Sequence, residues 1–361
     1  MSPRRALAAA AAAALLGLAA ACGGDGDGGA ETAAPPVAAE FSRAPYLTRV
    51  APTSARMRWV APDGAAVTLT ATPAAGGEPV TARDGNLTGL APDTRYAWSA
   101  TIDGAVAAEG AFTTAPTDLS RPLDLLVFGD YGAPNDSSRA VVGLMEEQDP
   151  RLLVTAGDNA YLVTLPQLLD ELIFGPMERV LGSAPNYGTV GDHDVVFPAG
   201  QEALAEAFEW PNRGDRYELR YGPVQVIAIG LQGTAADVPF VRRALARPGP
   251  LARLIVMHQP IHAGNPLLPV IAAADVTAVL AGHLHAYERR EVAGAPGVPF
   301  LTVGTGGAPR NDERTPRSPD AVEYVAEFGL MRVRLHGDTA RFAFVDLEGR
   351  ERDVLEAPIL S

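Results

Sequence analysis

The chain contains no lysine: all 29 of its basic residues are arginine, set against 43 acidic ones. The formal charge of −14 leaves no electrostatic footprint for a polyanion, which excludes DNA or RNA as a held partner. Any anionic ligand must be drawn in by a local positive charge that the residue count does not show, such as a metal cluster. Cysteine occurs once, at Cys22, so no disulfide closes within the chain. Long apolar runs are almost as scarce. The longest runs from Ala6 to Ala21, too short for a membrane-spanning helix and typical of a signal-peptide core.

What is present suits two domains and an export segment: 361 residues, 47% of them hydrophobic. Arg4 and Arg5 give the apolar run a charged start, and it ends in Leu18-Ala19-Ala20-Ala21-Cys22 before a Gly/Asp stretch. The pattern resembles a lipobox, with residues 1–21 as a lipoprotein signal peptide and Cys22 lipidated as the mature N-terminus. It departs from the usual form at Ala19, where leucine is common; the alternative is plain secretion after Ala19 and Ala21. The expected location is the cell envelope, periplasm or cell surface, held to the membrane through the lipid anchor. Residues 22–40 read as a flexible Gly/Ala/Pro linker, spanning ~25 Å as a coil.

From Phe41 to Pro116 the pattern is short and β-like. Ser54 to Val60 alternates polar and apolar, placing Met57 and Trp59 on one face. The run Leu90-Ala-Pro92-Asp-Thr94-Arg-Tyr96 resembles the corner of a fibronectin type III-like sandwich, where a tyrosine hydroxyl bonds back to upstream backbone. Tyr96 and Trp98 read as core. After Leu123 buried β-runs recur at Leu123–Phe128, Leu152–Thr155, Val224–Ile229, Leu254–Met257, Val276–Leu280 and Phe300–Val303. Helical stretches are expected at Ser138 to Glu147, Leu165 to Ile173 and Gln201 to Phe208. Such alternation predicts an α/β domain whose ligand crevice lies outside the carboxyl ends of its strands.

Five blocks fall at those ends. They are Gly129-Asp130-Tyr-Gly132, Gly157-Asp158-Asn-Ala-Tyr161, Gly191-Asp192-His193-Asp194, Val256-Met-His258, and Gly282-His283-Leu-His285-Ala-Tyr287-Glu-Arg. Asp and His at buried strand ends are costly without a partner. A lone Gly-Asp is ordinarily a tight turn, but four of the chain's six histidines lie inside these blocks. The fifth, His262, follows His258 by four residues, and the sixth, His336, reads as structural near a hairpin turn.

Together the blocks resemble the five motifs of the metallophosphoesterase superfamily, in the variant of the purple acid phosphatases. Asp130-x-Gly132 stands where most members have Asp-x-His, while Asp158-x-x-Tyr161 and the closing His-x-His-x-Tyr-Glu-Arg are features of the purple group. The resemblance implies a four-layer α/β/β/α sandwich over residues 120–357, preceded by a small all-β sandwich domain over 41–116. It further implies two metal sites. One would use Asp130, Asp158, Tyr161 and His285; the other would share Asp158 and add Asp192, His258 and His283. Oxygen donors with a phenolate suit Fe³⁺, and the His-rich site suits Fe²⁺, Zn²⁺ or Mn²⁺. His193 would face the phosphate as donor or general acid, with His262 standing in for further histidines of the family. The family has Asn at the position of Asp192, so this chain adds a negative charge there.

The activity so implied is hydrolysis of small phosphate esters by a dinuclear acid phosphatase, water-derived hydroxide attacking phosphorus. Phosphodiesterase or nucleotidase chemistry is the alternative on the same donors. A non-catalytic surface-binding lipoprotein is a third reading.

Overall fold

The computed structural model describes residues 39–161, 164–249, 251–310 and 317–359. The signal peptide, Cys22 and most of the linker lie outside the described residues. Two sheets form the front of the chain. Arg43–Val50, Ser54–Val60 and Asn86–Thr88 make the first; Val80–Ala82, Val67–Pro73, Arg95–Ile102 and Ala105–Thr113 make the second. Their buried faces, with Leu47 and Met57 on one and Leu69, Tyr96 and Phe112 on the other, belong to a single apolar core. Tyr96 Oη accepts a hydrogen bond from Ala91 N at 2.8 Å, fixing the corner where the chain turns into its strand.

The same core continues into the body. Trp98 Nε1 donates to Gly182 O at 2.9 Å and Tyr46 Oη to Ala207 O at 2.9 Å. These bonds let bulky amphipathic rings be buried across the seam without stranding a polar atom.

The body is a mixed α/β arrangement, as its alternating strands and helices predict. Its larger sheet has seven strands in the order Arg216–Tyr221, Val224–Ile229, Ala252–Val256, Ala278–Ala281, Phe300–Val303, Tyr287–Arg290 and Ala321–Val325. The four from Val224 to Val303 run parallel. The second sheet has five, ordered Glu351–Pro358, Thr339–Asp346, Gly329–His336, Leu123–Phe128 and Leu152–Thr155, with the last two parallel. Alternation along the strands sorts the layers. Val224, Val226 and Ala228 face the core shared with the five-stranded sheet. Ile227 and Ile229 face the helices Val238–Leu245 and Leu268–Ala272. On the outer side of the five-stranded sheet lies the helix Asp136–Glu147, capped by Asn135, whose side chain accepts from Ser138 N. The result is helix, sheet, sheet, helix.

One expected helix does not form. Leu165 to Ile173 is broken into a 3₁₀ turn at Pro166–Leu168 and a single π turn at Asp170–Phe174. The consecutive apolar residues Leu172, Ile173 and Phe174 are all buried, which a regular helix would spread around its axis. His336 ends its strand at a two-residue hairpin turn, paired with Thr339, and contacts Ser120 O.

Candidate metal centre

Parallel strands of both sheets end along one rim, and each end carries one of the blocks. Phe128 leads to Asp130, Thr155 to Asp158, Val256 to His258 and Ala281 to His283. The short bridge of Ala156 to Thr189 extends the five-stranded sheet and leads to Asp192. Asp130, Asp158 and His283 hold left-handed backbone, with φ of 59°, 50° and 69°. For residues other than glycine this costs about 1–3 kcal/mol each and persists only when surroundings impose it. The glycines beside them permit close approach. A Cβ at Gly191 would lie 2.1 Å from Asp158 Oδ1, and one at Gly157, itself at φ +87°, would lie 2.6 Å from His258 Nδ1.

The side chains converge. Tyr161 Oη donates to Asp130 Oδ1 at 2.9 Å and lies 3.0 Å from His285 Nε2. His285 Nε2 is 3.4 Å from Asp130 Oδ1. His258 Nε2 lies 3.4 Å from Asp158 Oδ1, 2.6 Å from Asp192 Oδ1 and 3.3 Å from His283 Nδ1. Asp192 Oδ1 is also 3.3 Å from His283 Nδ1. Two donor groups thus overlap at His258: Asp130 with Asp158, and Asp192 with His283, the ligand atoms of each group within 4.8 Å of one another.

Ring orientation is set from behind. His258 Nδ1 lies 2.9 Å from Ala156 O, and His285 Nδ1 lies 2.7 Å from Pro309 O. Each carbonyl takes the proton of Nδ1 and leaves Nε2 toward the cluster, the arrangement that metal-binding histidines use.

The electrostatics call for cations. Asp130 and His258 are fully buried and Asp158 nearly so. Burial, then the nearby Asp130, pushes the Asp158 carboxyl up to about 8. Burial opposes a charge on His258 too, but the hydrogen bond its ring donates to Asp192 and the charges of Asp130 and Asp158 outweigh it and lift the ring to about 10. Burial and the same two carboxylates hold the Tyr161 phenol far above its ordinary range. Asp192, bonded by His258 and then His283, is held well below the carboxylate range. Protons here do the work of missing positive charge.

The donor set therefore fits metal. Donors sharing one ion at 2.0–2.2 Å in a tetrahedron lie about 3.4 Å apart, near the separations found around His258. Asp130, Asp158, Tyr161 and His285 form the oxygen-rich end, while Asp192, His258 and His283 form the nitrogen-rich one.

Two other expected residues are placed differently. His193 is exposed; its ring sits 4.4 Å from that of Tyr161, and its backbone N–H donates to Asp158 Oδ1 at 2.9 Å. His262 is instead joined to Arg290, with Nδ1 3.2 Å from Arg290 Nη1. Arg290 pairs in register with Phe300, whereas the rim lies at the Val303 end of that strand. His262 is thus tied to the outer, helix-covered side of the sheet.

Two contributors were not singled out by the sequence. Asp194 is buried and accepts from Gly191 N at 2.8 Å, Ala160 N at 3.2 Å and both the backbone and side chain of Asn159. It ties the Asp158 loop to the Asp192 loop; its signal was a second acid inside Gly-Asp-His-Asp. The segment Gly304 to Pro309 follows the strand Phe300–Val303, bonds Asp130 O through Ala308 N and offers Pro309 O to His285. Its signal was another glycine-rich turn after an apolar run, with no acid or histidine to mark it.

The sequence matches no protein-family model and no curated protein. Solved structures do match in fold. A purple acid phosphatase, PPD1 from yellow lupin seeds, aligns with a TM-score of 0.74 at 15% identity, over 88% of this chain and 74% of that one. PhoD aligns at 0.63 and 11%, over 90% of both. GAP50, the anchor in the inner membrane complex of Plasmodium, aligns at 0.53 and 15%, over 66% of this chain and 90% of that one. Purple acid phosphatase and PhoD are metallophosphoesterases, and the architecture of this chain is the fold they share.

Proposed function

We propose that the chain is a metal-dependent phosphoric ester hydrolase acting on monoesters. The observation that carries this reading is the meeting of Asp130, Asp158, Asp192, His258 and His283, from four strand ends and an isolated bridge, in two overlapping donor groups. Two bound ions would clamp a phosphate, make water nucleophilic near neutral pH and offset charge on the leaving oxygen. Asp130, Asp158, Tyr161 and His285 would hold Fe³⁺; Asp158, Asp192, His258 and His283 would hold Fe²⁺, Zn²⁺ or Mn²⁺. The protein's own tasks are orientation and proton delivery. Ala156 O and Pro309 O keep the two Nε2 atoms aimed inward. His193, exposed beside Tyr161, would donate to a phosphate oxygen and then to the departing alkoxide.

The remaining parts of the reading concern the chain as a whole. Residues 41–116 are a fibronectin type III-like domain, and residues 120–357 are the phosphoesterase domain. The protein is exported and held in the cell envelope through lipid on Cys22. Its substrate is a small phosphate ester, and it holds no nucleic acid.

The test is metal content and visible spectrum of the purified protein, followed by hydrolysis of p-nitrophenyl phosphate against the bis ester. Iron with a phenolate charge-transfer band that Tyr161→Phe removes, and faster monoester cleavage, is the expected result. Faster cleavage of the bis ester would turn the assignment to a phosphodiesterase. Metal-loaded protein cleaving neither ester would leave the surface-binding reading in its place.

A further inference from the structure

The loop from His193 to the helix Pro198–Ala207 carries two neighbouring apolar side chains into solvent. Val196 is 61% exposed and Phe197 44%. The other exposed large apolar residues among those described, Val60, Val106, Val322 and Val354, stand singly. Scattered single residues of this kind are normal on protein surfaces; an adjacent pair beside a polar cluster is not. Val195, just before the pair, packs against the core, so the loop is not simply apolar throughout for want of burial.

The loop is pinned at both ends to one residue. Thr164 Oγ1 reaches His193 O at 3.4 Å, and a Cβ at Gly200 would lie 1.7 Å from Thr164 O. Val196 and Phe197 follow, by three and four residues, His193, whose ring sits 4.4 Å from that of Tyr161. On its other side Tyr161 packs with Ala133 and Ala308 in a small apolar cluster. Ala133 and Ala308 pack on Tyr161, and the segment leaving His193 beside that ring carries Val196 and Phe197, none of these four charged or able to hydrogen-bond through its side chain.

We propose that Val196 and Phe197 form an apolar lip that receives the alcohol portion of the substrate, and that the preferred substrates are aryl or long-chain alkyl phosphate monoesters. This rests on the hydrolase reading above. In the reaction water adds to phosphorus, the phosphorus–oxygen ester bond breaks, and the alcohol leaves with a proton as inorganic phosphate forms. A sugar or nucleoside leaving group would set hydroxyls and ring nitrogens against side chains that cannot pair them, whereas an aryl or alkyl group buries apolar surface on both sides. The chain's negative charge disfavours polyphosphorylated esters in the same direction.

The experiment compares kcat/KM for 1-naphthyl phosphate and glycerol phosphate in the metal-loaded wild type and in Phe197→Ser and Val196→Ser. Taking the ratio of the two substrates in each protein cancels the difference in leaving-group acidity between wild type and variant. The naphthyl-to-glycerol ratio should fall about tenfold in Phe197→Ser, through KM for the naphthyl ester, and less in Val196→Ser. Inhibition by phenylphosphonate should weaken relative to methylphosphonate in parallel, a binding readout that needs no turnover. An unchanged ratio, or an equal loss for both substrates and both phosphonates, overturns the inference while leaving the hydrolase reading intact. Absence of hydrolysis of any phosphate ester by the metal-loaded wild type overturns both.

Discussion

Asp194 and Asn159 are bound to each other three times over: Asn159 N lies 3.1 and 3.0 Å from the two carboxylate oxygens, and Asn159 Nδ2 is 2.8 Å from Oδ2. Neither residue is placed to ligate a metal, yet the pair fixes the loop that starts with Asp158 to the loop that starts with Asp192. Replacing Asp194 by alanine leaves the donors of Asn159, Ala160 and Gly191 buried without an acceptor. The expected cost is on the order of 3–5 kcal/mol of stability, with loss of metal from both sites. Chemical denaturation together with metal stoichiometry checks this; full occupancy and an unchanged midpoint would refute it.

Asp158 sits in the donor group with Asp130 and reaches His258, the residue common to both groups, at 3.4 Å. In Asp158→Asn both ions should bind less tightly, with turnover down on the order of 100-fold or more. Loss of one ion alone, with the other held at wild-type affinity, would assign Asp158 to a single site.

Metal uptake should release protons. At pH 7 the His258 ring, lifted to about 10, and the Asp158 carboxyl, lifted to about 8, both carry a proton that ligation must displace. Calorimetric titration with zinc in buffers of different ionisation enthalpy should report about two protons released from these two groups at pH 7, and tighter binding as pH rises. The metal-free protein should behave in the opposite sense. Both groups have folded-state values above their ordinary ones, 6.5 for His258 and 3.8 for Asp158. Their stabilising contribution is therefore complete at low pH and is lost as pH climbs through about 8 and about 10. Tm of the metal-free protein should fall across that window, and no proton release on metal binding would contradict the geometry around His258.

Asp192 should hold back anionic ligands. Its carboxylate is kept ionised by His258 and His283, at the nitrogen-rich end of the centre. One charge at about 4 Å in an effective dielectric near 20 amounts to roughly 4 kcal/mol per phosphate charge before protonation and relaxation reduce it. Asp192→Asn should accordingly tighten inhibition by inorganic phosphate about tenfold and lower KM for monoesters, with metal content held equal. Equal inhibition constants would show that this charge is compensated in the loaded site.

The parts of the molecule that were legible in the sequence are those where chemistry and periodicity coincide. An apolar strand run followed by Gly-Asp or Gly-His marks both a strand end and a polar side chain, so the blocks from Asp130 to His285 could be read off directly. Leu165 to Ile173 has spacing that fits a helix, but the burial of three consecutive residues, Leu172, Ile173 and Phe174, does not. The tie between His262 and Arg290 depends on which face of the sheet a loop returns to, and local sequence does not encode that. The Gly304 to Pro309 segment contributes only backbone atoms, which carry no residue-type signature.

The donors are scattered from residue 130 to residue 285, and only the finished sheets bring them together. No short stretch of the unfolded chain offers a complete coordination sphere, so an ion cannot be captured first and folded around. Selection of the metal then belongs to whatever ion supply surrounds the chain when it folds. If the proposed leader takes the chain across the membrane before it folds, the cytoplasmic metal pools and their chaperones have no say in the choice. The scarce ions of the cell exterior would do the loading, and growth medium rather than gene dosage should decide which metals the purified protein contains.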